Sequence, residues 1–396
     1  MKSLLIATGF PPQLGGIQTV LYQISLHLPS ENIVVLTPSV SGDEEFDSRC
    51  QFSINRKKIT FLAALIRKLI AFVSPLIADT FLYLLPAIRL LRLYQIDTIQ
   101  CGHISVALVG FLLKKLYGTP YIIYTYAQEI LLEPIPKWQF FDRALKRVIF
   151  RHADTIVTIS EYTKRKIIQW GVSEAKIVKI PLGVDLTNVT DKNNMTDEII
   201  GRLSLSNKRI ILTVARLVER KGNDMVIKSL PMVLKEIPNI VYLVVGSGPM
   251  EERLTTLVNE LNLQDDVIFC GDVSQEWMPV YYRICDVFIM PSRSLESKGD
   301  VEGFGIVFLE ANAYGKPVIG GRSGGVPDAV LDGVTGLLVD PNSTDEIASA
   351  IIRLLTQTDY ARELGENGRR RVESEMNWPK CAATVQQLLK DIVKTN

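Results

Sequence analysis

The strongest constraint on this chain is a rhythm. Short apolar runs alternate with amphipathic stretches from one end to the other. Strand candidates in the first half are Ser3–Ala7, Ile33–Leu36, Thr98–Cys101, Tyr121–Tyr124, Thr155–Ile159 and Lys176–Ile180. Helical patterns fall between them over Ile17–Leu28, Ser105–Tyr117, Lys137–Arg151 and Glu161–Trp170. Strands that are apolar throughout are buried on both faces, and strands separated by helices pair in parallel. The polar stretch Asp185–Lys208 reads as a linker. The rhythm then restarts with Arg209–Val214, Ile240–Val245, Val267–Phe269, Val287–Met290, Pro317–Ile319 and Leu337–Val339. The expectation is an α/β protein of two Rossmann-like, doubly wound domains facing a central cleft. Residues 1–200 form the first and 201–375 the second, and the last helix, within 376–396, crosses back to the first. Ligands of open parallel sheets sit beyond the carboxyl ends of the strands, so the loops there are where chemistry is sought.

Composition bears on partners. Net charge is +1, yet residues 1–192 carry about +7 and the rest about −6, an asymmetry that points to an anionic partner of the first half. The five cysteines, Cys50, Cys101, Cys270, Cys285 and Cys381, lie far apart and read as reduced thiols of a cytosolic protein. Met1–Ala7 is too short for a signal sequence and reads as a first buried strand.

The stretch Arg56–Arg92 breaks the rhythm. It carries Ile59, Phe61–Ile66, Leu69–Val73, Leu76–Ala78 and Phe81–Leu85, punctuated by Arg56, Lys57, Lys58, Arg67, Lys68, Arg89 and Arg92. Leu69–Ile88 has about the 20 residues of a membrane span. A single span is excluded, because the strands before and after it must pair in one sheet. Pro75, Asp79 and Pro86 also oppose it. The expectation is a monotopic membrane-surface element over residues 59–91; an enlarged core or a dimer contact is the alternative.

Five loops carry candidate chemistry. Phe10–Ile17 contains Gly15-Gly16 at a strand-to-helix turn, where amide groups can approach an anion, although the pair also suits a plain tight turn. Ala215–Asp224 places Arg216 and Lys221 at a strand's carboxyl end, fit for a diphosphate; Arg220 reads as solvated. Val245–Pro249 runs a strand into Gly246-Ser247-Gly248, compatible with nucleotide contact or with an ordinary turn. Val301–Glu310 opens a helix with a glycine loop that presents amides to phosphate. Glu302 before that loop and Glu310 inside the helix suit the two ends of a nucleotide-sugar: the hexose and the ribose diol. A helix-face acid is the alternative for Glu310, but its apolar neighbours make an unpartnered carboxylate costly. Gly320–Asp328 is a further glycine-rich segment for base or phosphate contact.

Together these motifs resemble family 4 of the glycosyltransferases, which have the GT-B fold, and most nearly its phosphatidyl-myo-inositol mannoside mannosyltransferases, which use GDP-mannose. The resemblance covers nearly the whole chain. It implies that Arg216 and Lys221 hold the donor diphosphate, Glu310 the ribose and Glu302 the hexose. Gly303, Phe304 and Gly305 form the donor loop, Ile306 and Val307 give amides to the phosphates, and Gly16 lies beside them. No metal is implied, because the cations and the helix dipole do the charge work. The chain departs from the family pattern after the strand Tyr121–Tyr124, where a histidine that lines the sugar site is usual. Here Thr125-Tyr126-Ala127-Gln128-Glu129 puts Tyr126 at that position; His103, Tyr126 and Glu129 are the acceptor-side candidates. Leu182, in Pro181–Asp185, stands where a polar residue is common, and the insert near 59–91 is long.

The expected function is retaining transfer of a hexose from GDP-mannose or a UDP-sugar to a membrane-associated glycolipid or polyprenyl-linked acceptor, peripheral on the inner face of the cell membrane, with no nucleic-acid partner. A soluble acceptor and a catalytically degenerate sugar-nucleotide scaffold are the alternatives.

Overall fold

The computed structural model describes residues 1–13, 15–131, 136–186 and 193–395. These form two compact units: Met1–Leu182 with Trp378–Asn396, and Gly183–Asn377.

The first unit is built on seven parallel strands: β1 (Ser3–Ile6), β2 (Ile33–Pro38), β3 (Ser53–Lys57), β4 (Thr98–Cys101), β5 (Tyr121–Thr125), β6 (Thr155–Thr158) and β7 (Ile177–Lys179). Their order is β3-β2-β1-β4-β5-β6-β7. The register runs Ser3↔Ile33 on one side of β1 and Ser3↔Thr98 on the other. The inner strands are buried on both faces because helices cover both. Strand β3 was not expected. Its Ser-Ile-Asn-Arg-Lys sequence is half-exposed at the sheet edge and carries no apolar run. Its Arg56 bonds Asp47 at 2.7 Å and the Pro11 carbonyl at 2.6 Å, bracing the loop after β1.

The second unit holds six parallel strands: β8 (Arg209–Val214), β9 (Ile240–Val245), β10 (Val267–Gly271), β11 (Val287–Met290), β12 (Val318–Gly321) and β13 (Gly336–Val339). Their order, β10-β9-β8-β11-β12-β13, reverses direction between β8 and β11. The stretch read as a linker contains a helix, Asn193–Arg202, that packs on helix Met278–Ile284. Its polar composition hid a short amphipathic face that buries Ile199. Residues 183–200 that the structure describes thus group with the second unit.

The closing helix Trp378–Thr395 belongs to the first unit and packs on helix Gly16–His27. Trp378, Cys381, Ala382, Val385, Leu389 and Ile392 recur at helical spacing and are all buried.

The apolar insert is a helical hairpin, Phe61–Ala71 and Pro75–Tyr94. The second helix buries Leu76, Ala78, Leu82, Tyr83, Ala87 and Leu90 in the core. Ser74 Oγ, between the helices, donates to Asp142 at 2.7 Å, and Lys146 pairs with Asp142 at 2.9 Å. Asp79 is buried in this apolar setting and is held by Arg67 Nε at 2.6 Å. Among the described residues no helix is long and apolar enough to cross a membrane. Arg67→Met leaves the Asp79 carboxylate buried without its cation and is expected to cost about 2–3 kcal/mol in urea denaturation. Arg67→Met/Asp79→Leu recovers most of that loss if the pair acts as described, and none if it does not.

Candidate active site

In the second unit, the reversal of strand order brings the loops after β8 and β11 side by side. The loop after β8 ends in a short turn, Glu219–Lys221, closed by Gly222. Gly222 has φ +77°, and a Cβ there would meet the Pro291 carbonyl at 2.3 Å. Only glycine lets the two loops approach this closely.

The approach assembles a charged cluster. Lys221 Nζ donates to Glu302 Oε2 at 2.6 Å. Arg220 donates to the same oxygen through Nη1, and through Nε to Asp300 at 2.7 Å. Glu302 is 8% exposed. Burial alone would raise its carboxyl, but Lys221 and Arg220 outweigh burial and hold it down to about 2. Burial lowers the Lys221 ammonium, against the opposing pull of Glu302. Gly325 N–H donates to the Glu302 carbonyl at 2.8 Å, and a Cβ on Gly324 would lie 2.4 Å from that oxygen. The observed contact of the Gly324-Gly325 pair is therefore with Glu302 itself.

Four residues past Glu302, helix Ile306–Ala313 begins after Gly305, with no side-chain cap and no acid in its first turn. The first amides of a helix have no acceptor within it, and its dipole favours an anion there. Ile306 and Val307 supply those amides. Phe304 is buried, so only its backbone is available to a ligand. Glu310 is partly buried one turn into this helix and accepts a hydrogen bond from Tyr282 Oη at 2.5 Å. Burial raises its carboxyl above the ordinary range, and the tyrosine bond works against that. Arg216 is exposed and its side chain has no hydrogen-bond or ion-pair partner among the described residues. Gly246 and Gly248 pack against the backbone of Ala215 and Leu217: a Cβ would meet their carbonyls at 2.1 and 2.5 Å. They seat the loop that carries Arg216.

The first unit places its candidates at the carboxyl ends of β1, β4 and β5. Gly16 opens helix Gly16–His27, and a Cβ there would meet nothing, whereas one on Gly15 would meet Gln18. His103 caps the turn after β4, its Nδ1 accepting from Ser105 N at 3.2 Å. Tyr126 is buried, and its hydroxyl has no partner among the described residues. Burial, then Tyr124 and Glu129, push its phenol well above the ordinary range. The Glu129 carboxylate turns back to accept from the Tyr126 amide, across Ala127 at φ +118°.

Sequence reasoning missed Arg220, Asp300 and Tyr282. Two cations in adjacent positions and two acids flanking Val301 were the available signal for the first two. Nothing local marked Tyr282.

Comparison with known proteins agrees with this architecture. The model described as Glycosyltransferase Family 4 matches residues 14–188, and that of Glycosyl transferases group 1 matches residues 195–371. A GDP-mannose-dependent alpha-(1-6)-phosphatidylinositol monomannoside mannosyltransferase of Mycolicibacterium smegmatis is 30% identical over 391 residues, 98% of this chain and 97% of that one. A protein of Corynebacterium glutamicum described as acting on the monoacylated form is 29% identical over 396 residues, 98% of each. Among solved structures, a sucrose-phosphate synthase of Thermosynechococcus elongatus superposes with TM-score 0.78 at 24% identity over all of both chains. HepE of Anabaena in complex with UDP does so with TM-score 0.78 at 18% identity, over 99% of this chain and 100% of that one.

The chain belongs to family 4 of the glycosyltransferases. It is a retaining glycosyltransferase of the GT-B fold, built from two Rossmann-like units and drawing on a nucleotide-sugar donor.

Lys221→Ala and Glu302→Gln are each expected to lower turnover about a hundredfold or more, because each removes a charge from a preorganised, water-poor cluster. Steady-state rates, with circular dichroism as the fold control, test this; near-normal turnover in either refutes its assignment to the site.

Proposed function

We propose that the protein transfers mannose, with retention, from GDP-mannose to a glycolipid acceptor of the phosphatidylinositol mannoside class at a membrane surface. The observation that carries the chemistry is the Lys221–Glu302–Arg220 cluster beside an uncapped helix N-terminus. The names of the full-length mannosyltransferase relatives support the donor and the acceptor.

On this reading Arg216 and Lys221 bind the donor diphosphate and stabilise the leaving GDP. The Ile306 and Val307 amides meet the same anion, as helix N-termini do. Glu302 accepts hydrogen bonds from hexose hydroxyls, and Glu310 from the ribose diol. Tyr126, whose phenol stays protonated, donates to a sugar hydroxyl on the acceptor side. The leaving phosphate takes the acceptor's proton on the face it departs from, which gives retention. The cations and helix dipole neutralise the leaving group, so transfer proceeds without a metal.

Radiolabelled GDP-mannose supplied with purified phosphatidylinositol mannosides tests the reading. Label entering lipid, undiminished by EDTA, is expected. Preference for a UDP-sugar refutes the donor; label only in a soluble product refutes the acceptor. Donor binding without turnover favours a scaffold.

The membrane part rests on the first unit. The hairpin leaves Phe61 86% and Leu85 75% exposed, and helix Pro136–His152, tied to it through Ser74 and Asp142, leaves Phe140 85% exposed. Lys68, Arg89, Arg143, Arg147 and Arg151 accompany these side chains. A cavity of about 520 Å³ on that helix is walled by Phe140, Val148, Arg143, Arg147 and Arg151. Apolar side chains among arginines suit the boundary of an anionic bilayer. The protein is thus proposed to act as a peripheral protein on the inner, cytoplasmic face of the cell membrane. Flotation with phosphatidylglycerol vesicles is expected to carry the protein, and Phe61→Asp/Leu62→Asp to reduce it about tenfold. Equal flotation of parent and variant overturns the role of the hairpin.

A further inference from the structure

Tyr282 lies on helix Met278–Ile284, a different element from the glycine loops and the charged cluster. Its ring is 2% exposed, stacked on Tyr314 with centroids 5.8 Å apart and planes at 15°, and tilted against Phe288 at 5.9 Å. Phe288 in turn meets Phe308 edge-on. Packing on these sides fixes where the hydroxyl points, and it points at Glu310. A core tyrosine usually satisfies its hydroxyl on a backbone carbonyl or water. This one reaches a partly exposed carboxylate on another helix.

No cation pairs with Glu310 among the described residues. Two other carboxylates withdrawn from water do have one: Asp79 has Arg67, and Glu302 has Lys221 and Arg220. The neighbouring titratable groups are Tyr314, Cys285, Arg283 and Asp185, and they act on the two tyrosines. Arg371, on the helix Thr358–Ser374 that packs along Ile306–Ala313, is directed instead to the carbonyls of Asp328 and Ala329. Tyr282 is the hydrogen-bond donor that the structure gives Glu310.

We propose that Tyr282 is a positioning residue for the nucleotide: its hydroxyl anchors one Glu310 oxygen and so fixes the carboxylate plane against which a ribose diol binds. This rests on the reading of Glu310 as the ribose residue. A carboxylate held by one oxygen keeps the lone pairs of the other for a diol. The same bond favours the charged form, which burial disfavours. The sign follows. Loss of the tyrosine hydroxyl raises the pH at which Glu310 takes up a proton, so diol recognition fails at higher pH and recovers in base.

The test uses GDP and 2′,3′-dideoxy-GDP, titrated calorimetrically into the full chain across the neutral and acidic range. The ratio of their affinities cancels the ionisation of the shared phosphates and isolates the diol. The parent protein is expected to prefer GDP by about tenfold or more, as bonds to a charged group do, and to lose that preference on acidification. In Tyr282→Phe, which keeps the ring and its stacking, the preference persists at high pH. It fades at a higher pH than the parent's. A Tyr282→Phe profile that coincides with the parent's, or a preference lowered equally at every pH, overturns the positioning role. A parent protein that does not discriminate, or a preference that survives Glu310→Ala, refutes the ribose reading itself and the proposal with it.

Discussion

The second unit is organised around one carboxylate. Glu302 is withdrawn from water, and a lone charge there would cost several kcal/mol or become protonated. It does neither, because Lys221 and the Arg220 fork both close on it. Asp300 takes the remaining arm of Arg220, so two cations face two anions and the cluster is near neutral. The backbone of Glu302 is held as firmly, by the Gly325 amide and the close approach of Gly324. Three loops, after β8, β11 and β12, are thereby tied to a single residue. Such convergence is possible only where β8 and β11 are neighbours, at the reversal of strand order.

The two sequence-predicted cations differ in state. Lys221 is partly buried and already paired with Glu302, whereas Arg216 is exposed. On the proposed reading, an arriving diphosphate meets one cation already oriented and desolvated and a second that still loses side-chain freedom on binding. The helix that begins four residues past Glu302 has no side-chain cap for an anion to displace. Preorganisation of this kind is what lets fixed charges act strongly on a leaving group.

Most of this architecture was written in local pattern. Twelve strands carry apolar runs and were legible as such. Strand β3 was not, because an edge strand of Ser, Ile, Asn, Arg and Lys satisfies only one neighbour and can stay polar. Helix Asn193–Arg202 was hidden by Asn and Thr for a similar reason: one buried face of a short helix leaves few apolar positions to see. In the site, Arg216, Lys221, Glu302 and Glu310 stood out because glycines and strand ends mark their loops. Arg220, Asp300 and Tyr282 did not, since their significance is pairwise. Arg220 lies some eighty positions from its acids, and nothing near it distinguishes a solvated arginine from a paired one. The outward face of the hairpin was equally a matter of packing: its apolar content was plain, but which side chains stay in water depends on which ones the core takes.

The first unit's departure from the family pattern has a physical reading of its own. Ala127 sits at φ +118°, a conformation that costs a residue with a Cβ about 1–3 kcal/mol unless its surroundings enforce it. The enforcing contact is visible: the Glu129 carboxylate accepts from the Tyr126 amide across that residue. Tyr126 is thus held at the end of β5 with its phenol buried and its hydroxyl without a partner among the described residues. A phenol in that setting stays protonated, because burial and the nearby Glu129 both oppose the phenolate. It can therefore give a hydrogen bond but cannot take a proton near neutral pH. If Tyr126 takes part in transfer, it orients a sugar hydroxyl, and the proton released by the acceptor must find another base. On the proposed reading that base is the departing phosphate, so a tyrosine at this position bears on sugar recognition rather than on the means of catalysis.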